Sequence, residues 1–329
     1  MSCQFTRRAF LGATASLFGM AAFAGCTSSG PQPVDKTGMV NKPVTVVGTL
    51  PTEDLLPLWV AQEQGIFEKR GMNVEIVQFQ SAAELTAGVG SGQVDMVMTD
   101  IMVTAGMYAG GIDVGMKWVT LGSDASQGRF GIMAGPDSAV TSLNDLAGVP
   151  IGVGSNTILE YVMDCLMADA GVPEDQVVVE EIQKLPVRFQ AMMSGQVAAA
   201  ALPGSLLVLG ESKGCRLVAD DTQGDNISQS VMVARTDFAT SSPDAVKALA
   251  DAWDEAVAVV NADPNAWRAL LVQKANLAEE VADTYPVSTY PTAALPTAEM
   301  VEPVLSWMQR KGYLNLALSY DAVTGDFSK

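Results

Sequence analysis

The sequence predicts an α/β protein with two lobes, and three observations lead to that prediction. Residues 57–100 alternate between helical and strand patterns, as expected for a largely parallel sheet. The motif Ser-Gly-Gln-Val occurs at 91–94 and again at 194–197, which indicates one helix-turn-strand unit in each half. Roughly three hundred residues follow the amino-terminal leader, a length that suits two lobes better than one.

The predicted strands within residues 57–100 bear on where a ligand would bind. In sheets of this kind ligands bind outside the carboxyl ends of the parallel strands. The last strand of this stretch stops at Thr99-Asp100. The expected elements are a helix with an apolar face at Leu55, Leu58, Trp59 and Ile66, a strand over 74–79, a helix over 82–89 and a strand over 94–98.

The same stretch resembles a known family. The run LPLWVAQEQGIFEKRGMNVEIVQF, followed by SGQVDMVMTD, is similar to the first lobe of the nitrate, sulfonate, taurine and thiamine-precursor binding proteins of ABC importers. The resemblance covers most of the chain after Lys42, and it is more specific for the family than for the ligand. It implies a two-lobed, type II periplasmic-binding-protein-like fold, with a mixed sheet flanked by helices in each lobe and a two-strand hinge. It also implies a small-molecule solute, and ABC permease and ATPase subunits as partners.

The first residues have the pattern of an export signal. Thr6-Arg7-Arg8-Ala9-Phe10-Leu11 is a twin-arginine pattern, and the apolar run over 11–23 is too short to span a bilayer. Phe23-Ala24-Gly25-Cys26 resembles a lipoprotein cleavage site, so we expect residues 1–26 to be a signal peptide with a lipobox and Cys26 to carry a lipid. An ordinary signal peptide with an incidental cysteine is the alternative. Residues 27–42 are rich in Ser, Gly, Pro and Thr and fit a flexible tether. The expected location is the outer face of the cytoplasmic membrane.

Charge and composition limit the function. The net charge is −18, and removal of a leader that holds two arginines and no acid makes it about −20. Such a charge disfavours nucleic acid as a partner. The sequence contains no histidine, the commonest general base and metal ligand. The resemblance bears on this absence, because the enzyme related to this family that builds the thiamine pyrimidine depends on histidine chemistry. We therefore expect a monomeric binding protein without cofactor, metal or catalytic residues. Cys165 and Cys215 are expected to be buried and unpaired, although pairing after export remains the alternative.

The rest of the chain predicts a second lobe and a return to the first. The lobe boundaries are placed at 43–125, 126–228 and 229–329, with crossings near 122–130 and 224–231 that form a hinge. After residue 234 we expect only helices, including 242–261 and 297–311, and we expect the Trp and Tyr residues of this region to be core residues. The other expected elements are a helix over 101–109, strands over 114–121, 129–134, 151–153 and 177–182, helices over 158–170 and 187–193, and a strand over 230–234.

Candidate ligand contacts are the polar residues that follow predicted strands. The helix start Ser155-Asn156-Thr157 offers unpaired N–H groups and hydroxyls, and capping of its own helix by Ser155 is an equally weighted alternative. Asp100 either binds a ligand N–H or caps the helix that follows it. Lys184 and Arg188 are assigned to a solvated face in preference to an anion site. The complete set of expected contacts is Thr49, Leu50, Pro51, Thr99, Asp100, Ser123, Asp124, Gln127, Ser155, Asn156, Thr157 and Pro203.

The preferred hypothesis is a lipid-anchored solute receptor of an ABC importer that takes a small polar anion such as nitrate, a sulfonate or taurine. The run Ala198-Ala199-Ala200-Ala201 stands where many sulfonate and nitrate binders of the family have acidic or aromatic residues, so a neutral heterocycle such as a thiamine pyrimidine precursor is the alternative solute. A ligand-sensing surface domain that reports to a signalling partner is an alternative of another class. A cofactor-free enzyme on the same fold is the third.

Overall fold

The computed structural model describes residues 43–329, which form two mixed sheets with helices packed against them. The expectations for residues 1–42, including the leader, Cys26 and the tether, lie outside the described residues. The first sheet contains seven strands: β1 (Thr45–Thr49), β2 (Val74–Gln78), β3 (Met96–Asp100), β4 (Val114–Leu121), β10 (Ser230–Arg235), β11 (Ser319–Asp321) and β12 (Asp326–Ser328). The second contains five: β5 (Phe130–Ala134), β6 (Pro150–Val153), β7 (Val178–Glu181), β8 (Ala199–Pro203) and β9 (Arg216–Asp220). We call the parts built on these sheets the first and the second lobe.

Helices connect the strands and cover the sheets. The α/β prediction of two mixed sheets flanked by helices is therefore confirmed. The helices are α1 (Leu56–Glu63), α2 (Ile66–Lys69), α3 (Ala82–Gly90), α4 (Ile101–Ala109), α5 (Ile158–Asp169), α6 (Leu185–Met193), α7 (Gly204–Ser212), α8 (Thr236–Ser241), α9 (Pro243–Ala262), α10 (Arg268–Lys274), α11 (Glu279–Ala282) and α12 (Ala298–Arg310). Within residues 43–329, no helix has both the length and the apolar character that a membrane span requires.

The two sheets share one plan. In the first, β1 is parallel to β2 and to β3, and β10 lies antiparallel between β3 and β4. In the second, β6 is parallel to β7 and to β8, and β5 lies antiparallel between β8 and β9. The repeated Ser-Gly-Gln-Val motif precedes the corresponding strands β3 and β8. Each sheet therefore has three parallel strands whose carboxyl ends form one edge.

The chain crosses between the sheets twice, over residues 122–129 and 221–229. The crossings touch at Gly122, whose carbonyl oxygen accepts a 2.8 Å hydrogen bond from Nδ2 of Asn226. Gly122 has a φ of +85°, and a Cβ atom there would lie 1.8 Å from the carbonyl oxygen of Ser228. Rotation of the lobes about these crossings stays a prediction.

The last helix joins both lobes. α12 packs against α4 of the first lobe, while its Trp307 donates a 2.8 Å hydrogen bond from Nε1 to Asp164 of α5. Just beyond the helix, Lys311 and Tyr313 bind the buried Glu160 carboxylate, at 3.1 and 2.8 Å. Residues far apart in the chain thus fasten α5 to the first lobe.

Four of the aromatic residues expected in the core are buried, whereas Trp267, Tyr313 and Tyr320 are only partly buried. Trp253 is fully buried, and its ring centre lies 6.1 Å from that of Trp118 and 6.3 Å from that of Tyr290. Trp307 is buried as well. Cys215 is buried, Cys165 is partly buried, and neither forms a disulfide.

The expectation of a wholly helical region after residue 234 is wrong at its end. β11 and β12 form a hairpin that pairs with β4 at the edge of the first sheet, through Asp326 and Gly115. The turn passes through Gly325 at a φ of +78°, and Tyr320 packs against Phe327 with ring centres 5.8 Å apart. These strands are three residues long, too short for alternation to be recognisable in the sequence.

We expect Gly122→Ala to lower the free energy of unfolding by about 3 kcal/mol, because a methyl group would overlap the second crossing at a strained backbone position. Gly148→Ala is the matched control, since Gly148 has a φ of +74° but no atom within 4 Å of the position that a Cβ atom would take. The control should cost about 1 kcal/mol, from backbone strain alone. Urea denaturation of both variants measures the difference, and equal losses would mean that the close approach of the crossings contributes nothing to stability.

Candidate functional site

A cleft lies between the lobes at the carboxyl ends of the parallel strands. It encloses about 670 Å³, including its open mouth. All six parallel strands contribute a residue at or just after their carboxyl ends, three from each lobe, as the doubly wound arrangement favours. These residues are Leu50 after β1, Gln80 after β2, Asp100 in β3, Thr157 after β6, Gln183 after β7 and Pro203 in β8.

The structure brings together five of the residues expected to contact a ligand. Three of them come from the first lobe and two from the second, so this part of the expected set lines one cleft. The five are Leu50, Thr99, Asp100, Thr157 and Pro203.

Two more expected residues lie beside the cleft. Thr49 is fully buried, and its hydroxyl donates a 2.8 Å hydrogen bond to the carbonyl oxygen of Leu50. Pro51 lines an apolar groove that continues from the cleft mouth. The groove shares Thr52, Gln80, Leu185 and Pro203 with the cleft.

Ser155 and Asn156 do not line the cleft. The backbone N–H and hydroxyl of Ser155 bind the carboxylate of Glu181, and the N–H of Asn156 donates a 2.6 Å hydrogen bond to Glu160. Ser155 does not cap α5 either, since the residue at that position is Thr157. Acidic residues of the second lobe therefore hold this turn.

The loop with Ser123, Asp124 and Gln127 is closed on itself. Oε1 of Gln127 accepts hydrogen bonds from the N–H and the hydroxyl of Ser123, at 3.0 and 2.7 Å. Asp124 accepts hydrogen bonds from the N–H and the hydroxyl of Ser126. These side chains stabilise the first crossing and do not line the cleft.

Asp100 holds a position between the lobes. Its Oδ1 accepts a 2.7 Å hydrogen bond from the N–H of Val103 and so caps α4, while its Oδ2 accepts a 3.0 Å hydrogen bond from the N–H of Ile158, the first residue of α5. Burial raises the pKa of Asp100 to about 6; the nearby charge of Asp54 raises it as well, and the N–H donors lower it. One carboxylate thus caps a helix in each lobe.

Two acidic residues of the short 3-10 helix Glu53–Leu55, Glu53 and Asp54, were not predicted as site residues from the sequence. Asp54 is 4% exposed, lines the cleft and accepts a hydrogen bond from the hydroxyl of Ser230. Glu53 is only partly buried as a residue, but its Oε2 is buried without a partner among residues 43–329, and its Oε1 accepts a 2.6 Å hydrogen bond from Tyr285. Burial raises the pKa of Glu53 to about 7.

The solvated assignment of Arg188 is wrong. Its side chain is 2% exposed and lines the cleft, and its guanidinium donates to the carbonyl oxygens of Ile182, Ala201 and Gln183, at 2.8, 3.0 and 3.3 Å. Burial lowers the pKa of Arg188 to about 10. A spacing of three and four residues from Leu185 and Met192 places Arg188 on the inner face of α6, which was the available signal. Lys184 is exposed and forms a 3.1 Å salt bridge with Glu84 of the first lobe.

The raised pKa values predict a pH dependence of stability. The ordinary pKa values of Glu53 and Asp100, which apply to the unfolded chain, are 4.5 and 3.8, and folding raises both. Because the folded state holds these protons more tightly than the unfolded state, protonation of the two groups stabilises the fold. The stabilisation is complete below about pH 4 and is lost as the pH rises through 6 and 7. We expect the free energy of unfolding to fall from about pH 5 to about pH 8, and Glu53→Gln to reduce that fall by about 2 kcal/mol.

Urea denaturation at the two pH values tests this prediction. Glu63→Gln, at an exposed position of α1, is the control and should keep the wild-type pH dependence. An unaltered pH dependence in Glu53→Gln would contradict a raised pKa for Glu53.

Solved structures share this fold. The chain superposes on the alkanesulfonate-binding protein SsuA from Xanthomonas axonopodis pv. citri, bound to MOPS, with a TM-score of 0.71 and 17% identity over 84% of this chain and 96% of that one. The two-lobed, periplasmic-binding-protein-like fold implied by the sequence resemblance is therefore confirmed.

Two curated relatives match parts of the sequence. A putative aliphatic sulfonates-binding protein of Bacillus subtilis (strain 168) is 25% identical over 210 residues, 62% of this chain and 62% of that protein. The 4-amino-5-hydroxymethyl-2-methylpyrimidine phosphate synthase of Schizosaccharomyces pombe is 29% identical over 97 residues, 30% of this chain and 27% of that protein. The chain thus spans less than two thirds of the length of the curated relatives it matches.

A family model described as NMT1/THI5 like matches residues 52–267. That range is more than half of the chain and includes every cleft-lining residue except Leu50. The chain therefore belongs to the NMT1/THI5-like family.

Proposed function

We propose that the protein is the extracytoplasmic solute-binding component of an ABC importer. The cleft carries this proposal, because six strand ends from two lobes surround a space of the size that small-molecule ligands occupy. Solute binding would favour the closed arrangement of the lobes, and the closed form would be recognised by the permease. The names of the B. subtilis relative and of the solved structure support solute binding.

Binding, and not turnover, is the proposed activity. The S. pombe relative is a synthase, but its match covers under a third of each chain. The cleft instead presents side chains that fix and desolvate a solute: two buried carboxylates, one buried guanidinium and several apolar residues. Histidine, on which the family's pyrimidine synthesis depends, is absent from the sequence.

The proposed solute is small and polar, and two classes have support. The names of the sulfonate-binding relatives favour an oxyanion. The name of the S. pombe synthase and the carboxylates of the cleft favour a nitrogen heterocycle. The charged side chains that line the cleft, Asp54, Asp100 and Arg188, help to decide between an oxyanion and a nitrogen heterocycle.

Export and a lipid anchor at Cys26 complete the proposal. They rest on the twin-arginine pattern and the Phe23-Ala24-Gly25-Cys26 sequence. An anchored receptor with a tether over 27–42 would keep the cleft close to a permease.

A panel of nitrate, taurine, alkylsulfonates and pyrimidines should contain a compound that raises the melting temperature, because a ligand that binds only the folded state stabilises it. Thr52→Trp should abolish that shift, since Thr52 lines both cleft and groove and its hydroxyl caps no helix. Thr240→Trp, at an exposed position of α8, is the matched control and should keep the wild-type shift. Equal shifts in the two variants would place the binding site elsewhere.

Cys26→Ser should release the protein from the membrane, because the lipid can attach only to the sulfur of the first mature residue. Labelling with radioactive palmitate, together with fractionation of membranes, measures this. Cys3→Ser, within the expected leader, should remain labelled. If the wild-type protein carries no palmitate label, the lipid anchor is contradicted and the leader is an ordinary signal peptide.

A further inference from the structure

Carboxylates of the protein already lie at the amino-terminal end of α5. The N–H of Ile158 donates to Asp100, the N–H of Asn156 to Glu160 and the N–H of Ser155 to Glu181, at 3.0, 2.6 and 3.1 Å. A helix N-terminus attracts an oxyanion because its N–H groups are free and its dipole is positive. Only the first of these donors belongs to α5 itself, and the N–H of Leu159, the next residue of the helix, has no hydrogen-bond partner among residues 43–329. A sulfonate or nitrate that approached this helix end would nevertheless meet the negative charge of Asp100 beside it.

A second carboxylate faces the cleft next to Asp100. Asp54 is 4% exposed, one of its oxygens binds Ser230, and the other has no hydrogen-bond partner among residues 43–329. Asp54 is close enough to Asp100 that its charge disfavours ionisation of the Asp100 carboxyl. A buried carboxylate with a free oxygen is most strongly stabilised by a charged N–H donor.

Arg188 is the one buried cation among the described residues that line the cleft, and it is committed to the protein backbone. Three of its donors bind carbonyl oxygens of the second lobe, including Ala201 in β8. Its single charge cannot balance both Asp54 and Asp100. The remaining wall is largely apolar, with Met98, Phe130 and Leu159 among its side chains.

From these contacts we infer that the solute is an organic cation with an apolar body, whose N–H donors bind Asp54 and Asp100, and that the negative charge of Asp100 at the N-terminus of α5 excludes oxyanions. This inference rests on the proposed solute-binding function and makes Asp100 the residue that determines specificity. The cation would replace part of the hydration that both carboxylates lose on burial, and the apolar wall would pack against its body.

Two probes of the same shape and opposite charge test the inference: benzamidinium and benzenesulfonate, titrated by calorimetry into the purified full chain at neutral pH. Wild-type protein should bind benzamidinium and not benzenesulfonate. Asp54→Asn should weaken benzamidinium binding about tenfold without admitting benzenesulfonate, because a charge-assisted hydrogen bond is lost while α5 remains capped. Asp100→Asn should weaken benzamidinium about tenfold and also allow benzenesulfonate to bind.

Asp100→Ser provides a second variant in case Asp100→Asn fails to fold, since serine still caps α4 but cannot reach Ile158. Glu63→Gln, far from the cleft lining, should bind both probes as wild type does. Preference of the wild type for benzenesulfonate, or unchanged benzamidinium binding in Asp54→Asn, would overturn the inference and leave the solute-binding function intact. If neither probe binds but the solute panel contains a hit, the inference falls alone. If neither probe nor any panel compound binds, both fall.

Discussion

One buried carboxylate, Asp100, joins the two lobes at the cleft. Asp100 ends a central strand of the first sheet, accepts the N–H of Val103 in its own lobe and accepts the N–H of Ile158 in the other. Each bond satisfies a donor that a helix leaves unpaired at its start. Because the Asp100 carboxylate is buried, any other acceptor for the N–H groups at the start of α4 or α5 would have to displace it from a position of low dielectric constant. The cleft is therefore formed around an internal negative charge, and the other groups that line it have to be understood in relation to that charge.

Much of this organisation could be predicted from the sequence, for identifiable reasons. The repeated Ser-Gly-Gln-Val motif marks corresponding turns before β3 and β8, and the strands that follow begin with the apolar runs 96–98 and 199–202. Parallel strands of one sheet end at the same edge, so Thr99 and Asp100 could be assigned to that edge of the first sheet and Pro203 to that edge of the second. The family resemblance, with its two lobes around a solute, places the two edges at a common site.

The remaining features depend on distant neighbours. Ser155 and Asn156 fit a ligand-binding helix start, but Glu181 and Glu160 hold them, and no local rule identifies those partners. Arg188 is charged, and average composition favours an exposed position for such a residue, whereas carbonyl oxygens at the ends of neighbouring segments make burial possible. Asp54 is an acidic residue at the start of a helical stretch, which is common without any functional role.

The family to which the chain belongs and the side chains that line its cleft answer different questions, the first about the fold and the second about the ligand. The shared fold places six strand ends around one cleft, and the side chains at those strand ends would decide which solute the proposed site accepts. The Xanthomonas protein that shares this fold is named an alkanesulfonate-binding protein, while Asp54 and Asp100 place negative charge in the cleft of this chain.

The attachment of α12 has a consequence for biosynthesis. Glu160 and Asp164 in α5 find partners at residues 307–313, with sequence separations of 153 residues to Tyr313 and 143 residues to Trp307. Because a ribosome produces the chain from its amino terminus, Glu160 has only its local bond to Asn156, and Asp164 lacks Trp307 and Lys311, until residues 307–313 have been made. A premature stop codon upstream of α12 would therefore yield a product in which α5 lacks these contacts.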